Sequence, residues 1–367
     1  MLHPIWQPKY SITPAISQTL IEMEAARVLV ENTHLPLFVQ DELSRKARIR
    51  ATHYSTRIEG NRLTLQEAEE VISNRRRLFR GRERDVAEVR NYWNALIRVE
   101  EWASKKIIVT EDMIRRIHAI VMKGRRAKSS PYRDGQNVIR DSLTGSIIYL
   151  PPEASDVPEL MRQMVAWINA SEKDRVPTVI IAGLAHYQFV TIHPYYDGNG
   201  RAARLLSTLI LHSNGYGLKG LFSLEEYHSR DLEAYYEALN IGESHNYYLG
   251  REDANLTNWL EYYVNTLASV FFDAKCETLR NAENTPQAEP ESFPRLDRRA
   301  RLVLPLFAGQ ETITSSDVSQ TLGLSERMAR VILKQWVDEG LLFVANPSKR
   351  SRSYGLNLEY RQYIVHR

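Results

Sequence analysis

Residues 193–204 read HPYYDGNGRAAR, and this stretch governs the interpretation of the whole chain. Its small central residues, 197–200, predict a turn, and the helix formers that follow predict a helix start near Gly198. The free N–H groups of a helix N-terminus and the positive end of its dipole favour an anion. Arg201 and Arg204 are three residues apart, so they share a helix face and can bind neighbouring phosphate oxygens. The stretch therefore predicts a site for a phosphate chain.

Two further side chains in the stretch are suited to chemistry. Asp197 precedes the turn, where a carboxylate can hold a Mg²⁺ ion that keeps waters and phosphate oxygens as its other ligands. His193 is the group that can exchange a proton near neutral pH. The alternative is an ordinary loop and helix start with solvated arginines. So many residue types suited to one site rarely occur together by chance within twelve consecutive positions.

The stretch resembles the signature of the Fic family, H-P-F-x-(D/E)-G-N-G-R-x-x-R, and departs from it only at Tyr195, which keeps an aromatic ring. The resemblance implies a protein adenylyltransferase, which transfers AMP from ATP to a Ser, Thr or Tyr hydroxyl of a target protein and of itself. It implies His193 as the catalytic base and Asp197 as the Mg²⁺ ligand. The ATP-binding residues that it implies are Glu59, His193, Gly198, Asn199, Gly200, Arg201, Ala202, Ala203, Arg204 and Tyr236.

A second short stretch, STRIEG at residues 55–60, lies far upstream. Ser55 and Glu59 are four residues apart, hence on one helix face, and Gly60 is a helix stop signal. Taken alone, it could be a helix end with a solvated glutamate. It also resembles the inhibitory motif of Fic proteins, (S/T)-x-x-x-E-(G/N). That resemblance implies an inhibitory helix in which Glu59 reaches into the ATP site and pairs with Arg204.

Residues 137–140 and 146–149 are short β-prone runs on either side of a turn, which predicts a hairpin. An isolated hairpin is marginal unless it packs on or binds something. The pattern YR..QN.I at residues 132–139, followed by Y.PP at residues 149–152, resembles the flap of Fic proteins. The resemblance implies that the hairpin aligns the target segment by strand addition; a purely structural hairpin is the alternative. The implied target-contacting residues are Asn137, Val138, Ile139, Ile147, Ile148 and Tyr149.

The remaining sequence predicts a mainly α fold, a Fic-fold helical bundle with the hairpin as its flap. His118 and His186 are predicted to be packed histidines rather than metal ligands. Tyr235 and Tyr236 could be core residues, but their resemblance to a YYxAL stretch of Fic proteins implies that Tyr236 lies by the nucleotide, with Asn240 a weaker candidate. Helices are predicted over residues 14–32, 38 or 41 to 60, 65–78, 85–102, 110–122, 159–169, 177–191, 198–213, 227–241 and 256–279.

Residues 281–296 are polar with three prolines, which predicts a linker. We expect an N-terminal helical region over 1–108, a Fic core over 109–280 and a further domain over 297–367. Two short helices joined at Gly323 and followed by two β-prone runs resemble a winged helix-turn-helix domain, which binds either DNA or protein. Met328, Val331, Ile332 and Val337 are expected to face inward. The candidate DNA contacts are Arg327, Arg330, Lys334, Lys349, Arg350 and Arg352.

Composition sets broader limits. The 367 residues are 43% hydrophobic and 25% charged, as in ordinary globular proteins, and the net charge is +3. Residues 292–367 hold 12 Lys and Arg against 7 Asp and Glu, so the basic excess lies at the C-terminal end. The single cysteine, Cys276, excludes an internal disulfide. With no signal-peptide or membrane-spanning pattern, we expect a cytoplasmic protein with no membrane partner, and a homodimer is compatible with the sequence.

Three alternatives to adenylyl transfer remain at this point. Doc toxins, a related branch, transfer phosphate and carry a lysine in place of the second signature glycine, so Gly200 argues against them. A nucleotide-sensing transcription regulator would use the same fold without chemistry. Removal of AMP with the help of Glu59 is a third reading.

Overall fold

The computed structural model describes residues 6–73, 79–105, 107–140, 145–242, 244–284, 297–348 and 351–361. As predicted, the fold is mainly α. The helices up to the predicted linker are α1 (Pro14–Asn32), α2 (Leu37–Ile58), α3 (Leu65–Ile72), α4 (Glu83–Ala103), α5 (Glu111–Lys123), α6 (Val157–Lys173), α7 (Thr178–Ile192), α8 (Asn199–Ser213), α9 (Leu224–Arg230), α10 (Leu232–Leu239) and α11 (Thr257–Asn284).

Most helix bounds agree with the local sequence signals. Thr110 caps α5 by accepting a hydrogen bond from the Met113 N–H, as predicted. The helix predicted over 227–241 is wrong, because it is two helices interrupted at Asp231, whose side chain caps α10. The helix predicted over 65–78 ends at Ile72, and residues 74–78 lie outside the described part. Helix α11 continues through the first residues of the predicted linker, and residues 285–296 are not described.

The centre of the bundle is α7, which is buried along almost its whole length. Gly183 lets α11 pack closely, because a Cβ there would lie 2.8 Å from the ring of Tyr263. The Trp259 indole donates to the Gly183 carbonyl at 2.8 Å. Helix α8 packs beside α7 and contacts α4 and α5. The turn between α7 and α8, which holds the signature, is therefore supported on several sides.

The hairpin consists of β1 (Ile139–Arg140) and β2 (Ile147–Tyr149), which pair antiparallel. It lies ahead of α6, and residues 141–144 between the strands are not described. The chain after β2 is tied to the bundle, because the Leu150 N–H donates to the His245 carbonyl at 2.8 Å.

The C-terminal region contains α12 (Arg298–Val303), α13 (Ser315–Leu322), α14 (Glu326–Asp338) and α15 (Leu358–Arg361), with β3 (Thr312–Thr314), β4 (Leu342–Asn346) and β5 (Ser353–Leu356) in the order β3-β5-β4. Gly323 joins α13 to α14 in a left-handed conformation, φ 64°, and Ser325 caps α14. Two helices followed by a hairpin are what the winged-helix hypothesis expects; β3 was not predicted.

One prediction for α14 is wrong. Ile332 is buried and Val337 is partly buried, but Met328 and Val331 are 50% and 60% exposed. The residues that pack inward are Ala329, Ile332, Leu333 and Trp336. The buried stripe is thus rotated relative to the predicted one, which leaves two apolar side chains on the outer face.

Helix α12 packs against α2. The Arg301 guanidinium lies 3.0 Å from the Asp41 carboxylate, and both side chains are mostly buried. Ala300 and Val303 belong to the same hydrophobic core as α1 and α11. The C-terminal region therefore rests on the helix that ends in the STRIEG stretch.

In the part of the chain that the structure describes, we find no helix of the length and hydropathy that a membrane span requires.

Candidate active site

The α7–α8 turn begins and ends with left-handed residues. His193 ends α7 at φ 51° and ψ 59°, and Gly198 precedes α8 at φ 80°. A Cβ on Gly198 would lie 2.6 Å from Met122 Sδ and 3.2 Å from His118 Nε2. Glycine is therefore required there for both its backbone conformation and the lack of space.

Asn199 braces this turn. Its side-chain oxygen accepts from the Tyr195 N–H at 3.0 Å, and its side-chain nitrogen donates to the Tyr195 carbonyl at 2.7 Å. Asn137, on the chain that leads into β1, donates to the same carbonyl at 3.3 Å. The Asn199 side chain is thus committed to the backbone and cannot orient phosphates without breaking these bonds.

His118 supports the turn from α5, as a packed histidine. Its Nε2 donates to the Asp197 carbonyl at 2.8 Å, and the Ser130 hydroxyl lies 2.8 Å from its Nδ1. Its ring stacks on Tyr195 with centroids 3.5 Å apart. Burial lowers the pKa of His118 to about 4, so the ring is neutral at pH 7.

His193 presents a free ring nitrogen. Its Nδ1 lies 3.3 Å from the Val190 carbonyl, which can only accept, so Nδ1 carries the hydrogen and Nε2 keeps its lone pair. Burial lowers the pKa of His193 to about 4. The backbone is held by Arg133, whose Nε donates to the His193 carbonyl at 3.0 Å. A neutral imidazole in a fixed orientation is suited to accept a proton.

Asp197 and Arg201 form an ion pair at the start of α8. Asp197 Oδ1 accepts from the Gly198 N–H at 2.6 Å and from Arg201 Nη2 at 3.0 Å, and the carboxylate is about half exposed. The Arg201 side chain is nearly buried, and its Nε has no hydrogen-bond partner among the described residues. A second acid, Glu88 of α4, lies 4.0 Å from Arg201 Nη1.

Arg204 is buried, and the end of α2 accepts hydrogen bonds from its Nε and Nη2. Its Nε donates to the Ser55 hydroxyl at 2.8 Å, and its Nη2 donates to the Ser55 carbonyl and to Glu59 Oε1, both at 2.9 Å. Burial alone would lower the pKa of Arg204, but the neighbouring Glu59 carboxylate raises it above the usual value. The guanidinium is therefore charged at every accessible pH.

Gly200 makes room for this contact. A Cβ at this position would lie 2.5 Å from Glu59 Oε1 and 3.2 Å from Arg204 Nη1. Two other residues of the predicted ATP-binding set, Ala202 and Ala203, are buried in the hydrophobic core, so their side chains do not line the site.

Three other residues singled out from the sequence, Tyr236, Asn240 and His186, differ in how they relate to the Glu59–Arg204 pair. Tyr236 is half exposed, and its pKa is raised by partial burial and by the nearby Glu59 carboxylate. Asn240 is engaged elsewhere, because its side-chain oxygen accepts from Arg251 Nη2 at 2.8 Å. His186 is buried with Nε2 2.8 Å from the Tyr235 hydroxyl, the environment of a packed histidine.

The hairpin residues divide into two groups. Ile147 and Ile148 are 47% and 39% exposed, whereas Tyr149 is buried and donates its hydroxyl to the Thr191 carbonyl at 2.7 Å. Tyr149 thus anchors the hairpin to α7 and is not available to a target. Arg133 fixes the preceding segment, since its N–H donates to the Pro194 carbonyl at 2.9 Å.

Three polar residues of the site were not found from the sequence. Under Arg204, the buried Tyr92 hydroxyl donates to the buried Glu225 carboxylate at 2.9 Å. Burial raises the pKa of Glu225. Asn61, two residues after Glu59, ties the end of the STRIEG turn to α4. No local pattern marks these residues, because their partners lie far away in the sequence.

The candidate DNA contacts on α14 and directly before β5 are exposed: Arg327, Arg330, Lys334 and Arg352. Arg330 pairs with Glu326 at 2.7 Å, also on the surface. Lys349 and Arg350 lie outside the described residues.

The fold and the site define a helical-bundle protein in which a histidine, a helix N-terminus and two buried arginines converge below a hairpin. Residues 108–211 match the family described as Fic/DOC. The chain contains a domain of this family.

Two solved structures resemble the chain. A Fic family protein from Desulfovibrio desulfuricans G20 is 28% identical with a TM-score of 0.60, and the alignment covers 96% of this chain and 99% of that one. A Fic domain containing signaling protein from Bacteroides thetaiotaomicron VPI-5482 is 23% identical with a TM-score of 0.61, covers 75% of this chain and 99% of that one, and shows the fold alone.

Among curated proteins, the protein adenylyltransferase Fic of Drosophila mojavensis is 28% identical over 172 residues, which is 47% of this chain and 33% of that protein. The chain thus spans about a third of the length of this relative.

Proposed function

We propose that the protein transfers AMP from ATP to a hydroxyl group of a protein, itself included. The observation that carries this proposal is the orientation of His193, whose neutral ring directs its hydrogen to the backbone and leaves Nε2 without a hydrogen-bond partner among the described residues, in the turn that leads into α8. The relatives named protein adenylyltransferases support it at the level of the family.

In the proposed reaction, His193 Nε2 takes the proton of a Ser, Thr or Tyr hydroxyl. The hydroxyl oxygen then forms a bond to the α-phosphorus of ATP, and the bond from that phosphorus to the oxygen bridging to the β-phosphate breaks. Pyrophosphate leaves with the electron pair of the broken bond. A positioned base typically contributes about 10² to 10⁴ in rate.

The phosphates of ATP are proposed to bind at the start of α8. The N–H groups of its first turn and the helix dipole favour an anion, and Arg201 and Arg204 supply charge. Asp197 fits a Mg²⁺ ion, because its carboxylate is half exposed and, among the described residues, the ion-pair contact of its Oδ2 is a long one to Arg84, at 3.9 Å. A Mg²⁺ ion held there would offset the charge of the phosphates, with most of its ligands coming from ATP and water.

Glu59 is proposed to inhibit this activity. Its carboxylate lies on Arg204 at 2.9 Å, and the γ-phosphate would need the same guanidinium. Because a phosphate and a carboxylate cannot both pair with Nη2 in this geometry, ATP has to displace Glu59. A charge-assisted hydrogen bond contributes about 1.5 to 3 kcal/mol, so the competition costs ATP roughly ten- to a hundredfold in affinity.

The hairpin is the proposed docking element for the target. Its exposed Ile147 and Ile148 side chains and the edges of a two-stranded sheet can accept an extended segment by strand addition. The side chains of Asn137 and Tyr149 are excluded from this role by their bonds to the signature turn and to α7.

The test uses the wild type, Glu59→Gly and His193→Ala with ATP labelled at either the α- or the γ-phosphate, in the presence of Mg²⁺. Label from the α-position on the protein, stronger in Glu59→Gly and absent in His193→Ala, is the expected result. Label from the γ-position would indicate phosphate transfer of the Doc type and would contradict the proposal.

A second candidate function rests on the outer face of α14. Arg327 and Lys334 lie there with the apolar Met328 and Val331, and apolar side chains on a recognition helix can contact thymine methyl groups. A DNA-binding regulator whose Fic domain senses nucleotide would use this face. Absence of label from both positions, together with DNA binding that responds to ATP, would favour it.

A further inference from the structure

Two side chains fasten the turn that follows Glu59 to α4: the exposed Arg62 pairs with Asp85 at 3.2 Å, and the buried Asn61 makes the larger set of bonds. Asn61 Nδ2 donates to the Asp85 carbonyl and to Glu88 Oε2, both at 3.0 Å. Its Oδ1 accepts from the Leu63 N–H at 3.1 Å. The residue is 7% exposed, so these bonds are largely shielded from water. Asn61 thus satisfies both functional groups of its amide within the fold.

The residues between Glu59 and this anchor are not held by packing. Gly60 adopts φ +88°, and a Cβ there would meet no described atom within 4 Å. Glu59 itself ends α2, where its N–H donates to the Thr56 carbonyl at 3.1 Å. The next apolar anchor is Leu63, which is buried in a small cluster with Val86 and Val89. Gly60 is bonded to the end of α2, where its N–H donates to the Arg57 carbonyl at 2.9 Å, so Asn61 is the first residue after the glutamate that is fixed to another helix.

The anchor also lies beside the second phosphate-binding arginine. Glu88 uses one oxygen to accept from Asn61, and its other oxygen lies 4.0 Å from Arg201 Nη1. The same α4 segment therefore contacts both the Asn61 amide and the start of α8. Movement of the turn away from the site requires that the Asn61 bonds break.

We propose that Asn61 is a positioning residue for inhibition: by tying the α2–α3 turn to α4, it holds the Glu59 carboxylate on Arg204. This inference rests on the proposed inhibitory role of Glu59. Asn61 contacts neither Arg204 nor Glu59 through its side chain, so its influence on ATP passes through the turn. Loss of the tie leaves the turn held by the Arg62–Asp85 pair and by backbone bonds to the end of α2. The turn is then less rigid, and Glu59 competes less well with phosphate.

The test is a double-mutant cycle with Asn61→Ala, Glu59→Gly and the combined variant in the full chain. ATP affinity is measured by calorimetry with Mg²⁺, and kcat and KM are measured for transfer of α-label. Asn61→Ala is expected to tighten ATP binding about three- to tenfold, the scale of one or two lost hydrogen bonds. It is expected to lower KM more than it changes kcat, because His193 is untouched. In the Glu59→Gly background it is expected to have no effect.

Asn169→Ala is the matched control, because Asn169 also donates to a distant backbone carbonyl, that of Val109, at 2.9 Å, and lies on α6, which is not among the helices that pack extensively on α2. It is expected to leave ATP affinity unchanged. If Asn61→Ala fails to fold, Asn61→Asp replaces it. The aspartate can still accept from Leu63 N–H, but it cannot donate to Asp85 and it repels Glu88.

The outcomes separate the two proposals. If Glu59→Gly tightens ATP binding while Asn61→Ala and Asn61→Asp do not, the positioning role is wrong and inhibition stands. An equal effect of Asn61→Ala with and without Glu59 would likewise overturn it. If Glu59→Gly itself leaves ATP affinity unchanged, the inhibitory role of Glu59 is wrong.

Discussion

Glu59 Oε1 lies 2.9 Å from Arg204 Nη2 and joins the end of α2 to the first turns of α8. Arg204 is 1% exposed, and the hydroxyl and carbonyl of Ser55 also accept hydrogen bonds from it. The guanidinium is thus held from one side by a serine that stays in place and from the other by a glutamate whose side chain is partly exposed. Only the second partner is easily exchanged for a ligand.

Glu59→Gly should make the protein respond more strongly to ATP in thermal unfolding. A ligand that binds only the folded state adds about 2.7 kcal/mol of stability at a concentration 100 times its Kd. At a fixed ATP concentration with Mg²⁺, the increase in Tm should therefore be larger in Glu59→Gly than in the wild type. The control is Glu59→Gly with Arg204→Ala, in which the ATP-dependent increase should be lost; a persisting increase would exclude Arg204 as a phosphate ligand.

Gly200→Ala should show whether displacing Glu59 from Arg204 is enough to let ATP bind. The added methyl group would lie 2.5 Å from Glu59 Oε1, so it should push the carboxylate off Arg204. Because the same methyl group occupies the mouth of the helix N-terminus, ATP affinity should fall below that of Glu59→Gly by tenfold or more. Calorimetric titration of both variants with ATP measures this, and equal affinities would contradict the prediction.

The pH dependence of transfer should reveal the environment of His193. Burial lowers its pKa to about 4, so the ring is neutral and able to act as a base above that pH. Since kcat/KM reports the free enzyme, the acid limb of Glu59→Gly should lie near pH 4 instead of near the usual 6.5. ATP affinity is measured over the same pH range, so that the effect of nucleotide protonation on kcat/KM can be subtracted. An acid limb at pH 6 to 7 would show that His193 is solvated or is not the base.

Buried His186 should make the fold sensitive to acid. Burial lowers its pKa to about 3, whereas the unfolded value is near 6.5. Because the folded pKa is depressed, the unfolded state binds the proton first, and stability is lost as the pH falls from 6.5 toward 3. Between pH 6.5 and 5 this one residue should cost about 2 kcal/mol.

Urea unfolding of the wild type and His186→Gln at pH 7 and pH 5 measures how the free energy of unfolding of each changes with pH. The variant should be less stable at pH 7, since it loses the contact with the Tyr235 hydroxyl, but it should lose less stability on acidification. Substitution of the exposed His34 by Gln is the matched control. Identical slopes for wild type and His186→Gln would disprove the assignment.

DNA binding by the C-terminal region should depend on Lys334 if the second candidate function holds. Removing one contact to a DNA phosphate weakens binding to all sequences. It also reduces by about one the slope of the logarithm of the binding constant against the logarithm of the salt concentration. Fluorescence anisotropy with a labelled duplex at 50 and 200 mM salt compares Lys334→Ala with Lys128→Ala, an exposed lysine on the loop after α5. No binding by the wild type at the lower salt concentration would rule out this function.

Much of the local structure could be predicted from the sequence. Helix α1 begins and ends where its apolar spacing indicates, Thr110 caps α5, and Gly323 separates α13 from α14. These features depend on residues within one or two turns of each other, so the sequence records them directly. The signature turn belongs to the same group, because Gly198 is required by its own backbone conformation.

Predictions that depended on register or on packing were less accurate. Met328 and Val331 were placed inward, but a rotation of the buried stripe puts them on the surface of α14. Tyr149 follows two consecutive exposed residues of β2 and is itself buried. In both cases a small angular difference decides which face is buried, and local spacing does not fix that angle.

The sequence alone determined that this protein has a helix N-terminus suited to phosphate, a histidine beside it and a glutamate at a distant helix end, because each of these is written in a few consecutive residues. Tertiary structure alone decided that Glu59 contacts Arg204, that Asn199 braces the turn, and that Asn61 ties α2 to α4. Those contacts arise from the packing of α2, α4 and α8 around α7. The pairings across separate helices depend on how the whole core closes, which no short stretch of residues specifies.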